Sequence, residues 1–216
     1  HFASGRHIGK VVIDLANARV DVRSAIADGA PFDPQGTYLV TGGLGSLGLH
    51  VARWLVDGGA REIVLVGRRG PTPSAAATIA ALEAGGAHIV TLEADVAQRA
   101  DVDRVLAQVA ATKPRLRGII HAAGVLDDGV ILGQTWTRLA TVMAPKVRGA
   151  WNLHQATRAL PLDFFVMFSS IASALGSPGQ SNYASANAVL DALAHYRRGQ
   201  GLAALSINWG PWADGG

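Results

Sequence analysis

From residue 38 onward the sequence alternates. Short runs of β-branched and apolar residues at 38–41, 63–66, 88–92, 118–121, 164–168 and 204–208 are separated by longer stretches with helical spacing. Those stretches lie at 48–57, 74–84, 102–112, 137–159 and 183–199. A run that is apolar throughout, rather than at every second position, is buried on both faces. That is the signature of a parallel strand held between two helix layers. Six strand–helix units in a row predict a doubly wound α/β sheet. The chain has 216 residues, 49% of them hydrophobic and 16% charged, which is enough material for one such core.

Residues 1–36 break the pattern. They hold one β-like run at 10–15 and a polar tract that closes on Gly29-Ala30-Pro31-Phe32-Asp33-Pro34. The Gly and Pro spacing predicts a linker or domain boundary. The chain opens on HFASGRHIGKVV, without an initiator Met or a signal-peptide pattern, and stops at WADGG. The expectation is a segment of a longer polypeptide.

Several functional classes are disfavoured. Cysteine is absent, so disulfides and thiolate metal sites are excluded, and the expectation is no metal and a reducing, cytoplasmic setting. No apolar run is long enough to span a bilayer. Net charge is +3, with arginines scattered apart from the pairs Arg68-Arg69 and Arg197-Arg198. A chain without a Lys/Arg run lacks the arm that binds nucleic acid, and its charges read as solvated surface.

The strongest local motif is TYLVTGGLGSLGLHVARWL, with Gly42, Gly45 and Gly48 between a strand and a helix. A tight turn needs a residue tolerant of positive φ, and close approach of a diphosphate needs a missing Cβ. A helix starting near Ser46 aims free N–H groups and its dipole at that anion. The spacing is Gly-x-x-Gly-x-x-Gly, so the motif predicts a nucleotide site formed by Thr41, Gly42, Gly43, Leu44, Gly45, Ser46, Leu47 and Gly48. The plain alternative is a tight β–α turn. The second strand ends in Gly67-Arg68-Arg69-Gly70 with no acid to hold ribose hydroxyls. Guanidinium groups there suit a 2′-phosphate, which points to NADPH; the plain alternative is a solvated surface pair. Asp95 is placed to accept from an adenine amino group, with Val96 beside the ring, or else caps the next helix. Ala122, Ala123 and Gly124 offer small residues where a cofactor would pass.

FSSIASALGSPGQSNYASAN, from Phe168 to Asn187, holds the candidate chemistry. Ser170 ends the fifth strand, Tyr183 starts a helix, and Asn187 lies four residues on, on the same face. A phenol is a poor acid at neutral pH, its unperturbed pKa being about 10, unless a nearby cation stabilises the phenolate. The candidate cation is Lys146.

Taken in order, TGGLGSLG, HAAGVLDD, PKVRGAWNLH, FSSIASALGSPGQSNYASAN and NWGPW resemble the short-chain dehydrogenase/reductase superfamily. More closely they resemble the ketoreductase domains of modular polyketide synthases and animal-type fatty acid synthases. The resemblance covers residues 36–216. Most short-chain reductases place the lysine four residues after the tyrosine. Here Asn187 stands there and the lysine comes earlier, at Lys146, which is the ketoreductase arrangement.

The resemblance implies a Rossmann-like fold and a set of roles. Tyr183 is the general acid, Ser170 stabilises the substrate oxyanion, and Lys146 with Asn187 supports the Tyr and a proton relay. The nicotinamide docks above Gly124 and near Asn208 and Gly210. Leu126-Asp127-Asp128 resembles the motif of B-type ketoreductases, which steers the phosphopantetheine arm, with Gln180 alongside. The opposite type carries a Trp near position 175, where this chain has Leu175. The implied product is the D-configured (3R) 3-hydroxyacyl thioester. The implied partners are an acyl carrier protein and the other domains of the synthase: enoylreductase, dehydratase and the structural half of the ketoreductase. Residues 1–35 resemble the tail of a preceding enoylreductase, and the sequence stops where the family continues into a lid helix and a last strand. Two other readings remain, a free-standing reductase of small ketones and a catalytically silent scaffold.

Overall fold

The computed structural model describes residues 31–112 and 114–212. The β-like run at 10–15 and the proposed enoylreductase tail lie outside the described residues. Six strands form one parallel sheet: β1 (Thr37–Thr41), β2 (Glu62–Gly67), β3 (His88–Glu93), β4 (Leu116–His121), β5 (Phe164–Ser170) and β6 (Leu205–Trp209). Their order is β3-β2-β1-β4-β5-β6. The direction of winding reverses between β1 and β4, where Thr41 pairs with His121 at the carboxyl ends. A doubly wound sheet opens its binding crevice at this point.

The helices are α1 (Ser46–Asp57), α2 (Pro73–Ala84), α3 (Arg99–Thr112), α4 (Trp136–Met143), α5 (Gly149–Thr157), α6 (Ala172–Leu175) and α7 (Ser181–Gly199). Alternate strand residues feed two cores. Leu39, Val64, Ile119, Phe165 and Met167 pack with Val105, Leu153 and Leu190 on one face. Val40, Ile63, Leu65 and Ile120 pack with Val51, Leu55 and Ile79 on the other. Each fully buried side chain of this size contributes about 1.5–3 kcal/mol of transfer free energy.

One predicted element differs. Instead of a single helix over 137–159, the chain forms α4, then a π-helical segment at Ala144–Arg148, then α5. Pro145 has no N–H to give and its ring crowds the preceding turn, so the α-helical ladder cannot run through it. The wider turn keeps the helix continuous and buries Lys146, which is 5% exposed.

Of the Arg197-Arg198 pair, Arg198 is exposed as a solvated-surface reading expects, but Arg197 is not. Arg197 is 1% exposed. Its guanidinium lies 3.9 Å from the Phe165 ring centre, and its Nη1 is 3.0 Å from His154 Nδ1. Among the described residues no helix is long and apolar enough to cross a membrane, and no His/Asp/Glu cluster could hold a metal ion.

Candidate active site

Two clefts meet over the carboxyl ends of β1, β4 and β5. The first, with a volume of about 430 Å³, runs between the glycine loop and Arg68, Arg69, Asp95 and Val96. The second, about 520 Å³, is walled by Ser170, Gln180, Tyr183, Trp209, Gly210 and Trp212. Leu47, Ala122, Gly124 and Val125 line both.

The glycine loop is built by close approach. Gly42 has φ +70, and a Cβ there would sit 2.8 Å from the backbone of Ala122. A Cβ on Gly48 would lie 2.3 Å from Gly42 O, so α1 can start under the loop only with glycine there. The N-cap of α1 is Gly45, which has no side chain to satisfy the first-turn N–H groups. Those donors and the positive end of the helix dipole are left for an anion in the cleft. The donor set fits a dinucleotide diphosphate.

The second cleft gathers the polar groups. Lys146 Nζ donates to Phe168 O at 2.9 Å and lies 5.2 Å from the Tyr183 ring centre. Its stem passes over Gly124, where a Cβ would come within 3.1 Å of Lys146 Cε. Burial pushes the Lys146 pKa down to about 8, and the Asp191 carboxylate pulls against that drop. His121 anchors the π-helical segment from below. Burial and the nearby Lys146 hold its pKa at about 4, so the ring is neutral. Nε2 is 3.3 Å from Lys146 O, which only accepts, so Nε2 carries the proton. Nδ1 then accepts from Thr41 Oγ1 at 2.6 Å.

Ser170 Oγ accepts from Ala172 N at 3.2 Å, which leaves its own O–H free to donate. Asn187 is fully buried on α7. Its Nδ2 donates to Tyr183 O at 2.8 Å, and its Oδ1 meets no donor among the described residues.

The KR domain family model matches residues 36–214. The chain belongs to the KR domain family, the ketoreductases. It is 46% identical over 216 residues to "Phenolphthiocerol synthesis polyketide synthase type I Pks15/1" of Mycobacterium marinum, covering 99% of this chain and 10% of that protein. The ketoreductase domain thus spans about a tenth of the length of the curated relatives it matches. The ketoreductase from the first module of phoslactomycin biosynthesis in Streptomyces sp. HK803 is 44% identical, with a TM-score of 0.79 over 84% of this chain and 42% of that one. A structure of A-type ketoreductases from a modular polyketide synthase is 41% identical, with a TM-score of 0.80 over 90% of this chain and 42% of that one. The fold is therefore the Rossmann-like short-chain dehydrogenase/reductase fold of polyketide synthase ketoreductases, and its family is one of oxidoreductases that bind NAD(P)H.

Within this ketoreductase domain the expected residues divide. Gly42, Leu44, Gly45, Ser46, Leu47, Gly48, Arg68, Arg69, Asp95, Val96, Ala122, Ala123 and Gly124 all line the first cleft. Thr41 and Gly43 do not. The Thr41 side chain is buried on His121, and Gly43 N bonds to Val66 O. Asp95 does not cap α3. Its Oδ1 accepts from Ala97 N at 3.0 Å, holding the turn one step before that helix. Ser170, Tyr183, Lys146, Leu126, Gln180 and Gly210 line the second cleft. Asn187, Asn208, Asp127 and Asp128 are not among the residues that line it.

Asp191 was not singled out from the sequence. It follows Tyr183 and Asn187 at the same interval of four, on one face of α7. It accepts from Ser173 and Ser206, both at 2.6 Å, and from Asn208 at 3.0 Å. Asn208 in turn reaches Ser169 at 3.3 Å, and Ser169 donates to Asn187 O at 3.2 Å. Burial opposes ionisation of Asp191, but these donors outweigh it, and its carboxyl lies below the ordinary carboxylate range. The i, i+4, i+8 spacing from Tyr183 was the available signal.

Proposed function

We propose that this ketoreductase domain uses NADPH to reduce a 3-ketoacyl thioester, carried on an acyl carrier protein, to the D-configured 3-hydroxyacyl thioester within a polyketide synthase. The observation that carries this reading is the meeting of Ser170, Tyr183 and Lys146 in one cleft that shares Leu47, Ala122, Gly124 and Val125 with the glycine-loop groove. When bound, the reduced nicotinamide supplies a hydride to the ketone carbon.

The chain's own residues handle the oxygen. Ser170, with its lone pair engaged by Ala172 N, donates its hydroxyl hydrogen to the carbonyl oxygen as charge develops there. Tyr183 gives up its phenolic proton to that oxygen. The Lys146 ammonium, held by Phe168 O, sits close enough to the Tyr183 ring to stabilise the negative charge left behind. Arg68 and Arg69 at the rim of the first cleft supply forked donors for a 2′-phosphate, which favours NADPH over NADH. Leu126 and Gln180, at the mouth of the second cleft, set the side from which the phosphopantetheine arm approaches.

The domain runs over residues 36–216, and residues 1–35 are the tail of an enoylreductase and a linker. The other partners are the dehydratase and the structural ketoreductase half, in a cytoplasmic synthase.

The test is NADPH consumption by the synthase polypeptide with a 3-ketoacyl thioester, compared with its Tyr183→Phe variant. The expected result is turnover that falls about 10²–10⁴-fold in the variant, unchanged NADPH binding, and D-alcohol as product. A well-folded parent with no turnover overturns the reading.

A further inference from the structure

Neither acid of Leu126-Asp127-Asp128 lines the second cleft; both carboxylates are held by other side chains of the protein. Arg138, on α4, donates from Nε to Asp127 Oδ1 at 2.8 Å, and its Nη2 reaches the same oxygen at 2.6 Å and the carbonyl of Asp128. Asp128 Oδ2 accepts from Gln180 Nε2 at 2.9 Å. Asn182 Nδ2 donates to Asp127 O at 2.8 Å, and Gly129 N donates to Gly179 O at 2.7 Å. The Arg138 bonds fix the loop after β4 to α4, and the last three join it to the loop before α7 and the first turn of that helix, beside the second cleft. The guanidinium lies flat on the loop, since a Cβ on Gly129 would sit 2.6 Å from Arg138 Nη1.

Beyond these bonds, Gln134 Nε2 donates to Gly129 O at 2.9 Å, and little apolar packing holds the loop. Leu126, Val130, Ile131 and Leu132 are 60, 71, 77 and 97% exposed, so hardly any apolar burial fixes it. An exposed ion pair alone is worth little. A forked guanidinium that serves two residues, backed by two cross-loop amides, is a network that anchors this segment.

We infer that Arg138 is a positioning residue. It clamps the loop after β4 to α4, so that the bonds from that loop to Gly179, Gln180 and Asn182 close a latch that sets where Leu126 and Gln180 meet the incoming acyl chain and which face of the ketone is reduced. The aspartates act as latch parts and do not touch the substrate. This inference rests on the stereochemical reading of the Leu126–Asp128 loop proposed above.

The experiment uses the synthase polypeptide with a 3-ketoacyl pantetheine thioester as probe. It compares Arg138→Gln, Arg138→Lys, Asp127→Asn and the Arg138→Gln/Asp127→Asn double variant. Readouts are the enantiomer ratio of the 3-hydroxy product, kcat/KM, NADPH affinity, and backbone hydrogen exchange over 126–134 and 176–182. The expected result is a tenfold or greater erosion of the enantiomer ratio in each Gln or Asn single variant, with faster exchange in both loops. The double variant loses no more than either single one, Arg138→Lys is intermediate because the fork is gone but the charge stays, and NADPH affinity holds within twofold. A ratio that erodes in Asp127→Asn but not in Arg138→Gln overturns the latch and leaves the steering reading standing, with the carboxylate acting on substrate directly. Faster exchange with an unchanged ratio, in these variants and in Leu126→Ala, also overturns the inference, and in that case the steering reading is what fails.

Discussion

The Lys146 ammonium donates a 2.9 Å hydrogen bond to the carbonyl oxygen of Phe168. The bond ties the helical layer to the end of β5, next to Ser169 and Ser170, and holds a charge where burial disfavours it. Lys146 therefore titrates near 8 rather than at its ordinary value of 10.5. Activity should need the ammonium form, so kcat at saturating nucleotide falls as pH rises through about 8. In Lys146→Arg any remaining activity should show no loss near pH 8, because guanidinium stays charged. A parent profile flat to pH 9.5 would remove Lys146 from the chemistry.

The same shift has a sign for folding. A lysine whose folded pKa lies below its unfolded value binds fewer protons when folded, so its penalty is fully present below about 8 and is relieved as pH rises toward 10.5. The pH-dependent part is about 3 kcal/mol over that window. Lys146→Met should gain stability relative to the parent at pH 7, with the gain shrinking by pH 10. Urea denaturation at the two pH values reads it.

Nucleotide choice should depend on the rim of the first cleft. Arg68→Gln/Arg69→Gln should weaken NADPH binding about 10–100-fold, the worth of one or two charge-assisted hydrogen bonds, while leaving NADH binding nearly unchanged. Fluorescence titration with each nucleotide distinguishes them. Equal losses for both would place the 2′-phosphate elsewhere.

Asp191→Asn should act without touching the cleft. It removes the carboxylate that Ser173, Ser206 and Asn208 share, and the charge that holds the Lys146 pKa up. The basic limb of the activity profile should then move to lower pH. A fall in kcat with no movement of the limb would mean that Asp191 only supports the local structure.

Gly48→Ala should damage both the loop and the helix that starts beneath it. Its Cβ would meet Gly42 O at 2.3 Å, so loop or helix must shift. The expected outcome is loss of nucleotide binding together with about 1–3 kcal/mol of stability. Native-like binding in the variant would show that the loop relaxes freely.

Much of this was legible beforehand, for local reasons. β2 was expected at 63–66 and runs Glu62–Gly67, because Ile63, Val64 and Leu65 are buried on both faces and no polar residue interrupts them. The glycine loop was legible because steric demand at Gly42 and Gly48 acts over a few residues. The π-helical turn was not, since Pro145 reads equally well as a break. Neither was the burial of Arg197, which depends on Phe165 and His154 meeting it from distant parts of the chain. The partners of Asp127 and Asp128 were hidden for the same reason. Arg138, Gln180 and Asn182 lie 10 to 55 residues away, and nothing in LDD names them.

The π-helical segment Ala144–Arg148 carries one residue more than an α-helical path of the same span would need. Seen as an insertion, it is a phase change. Each residue turns an α-helix by about 100°, so excising one residue from this segment would leave a more regular helix that rotates everything before the cut relative to everything after it. Trp136 to Met143 and Gly149 to Thr157 could no longer both keep their inward faces toward the sheet. A shorter, better-formed helix would therefore be the worse protein, and a single-codon deletion here should be more harmful than most point substitutions in the same helices.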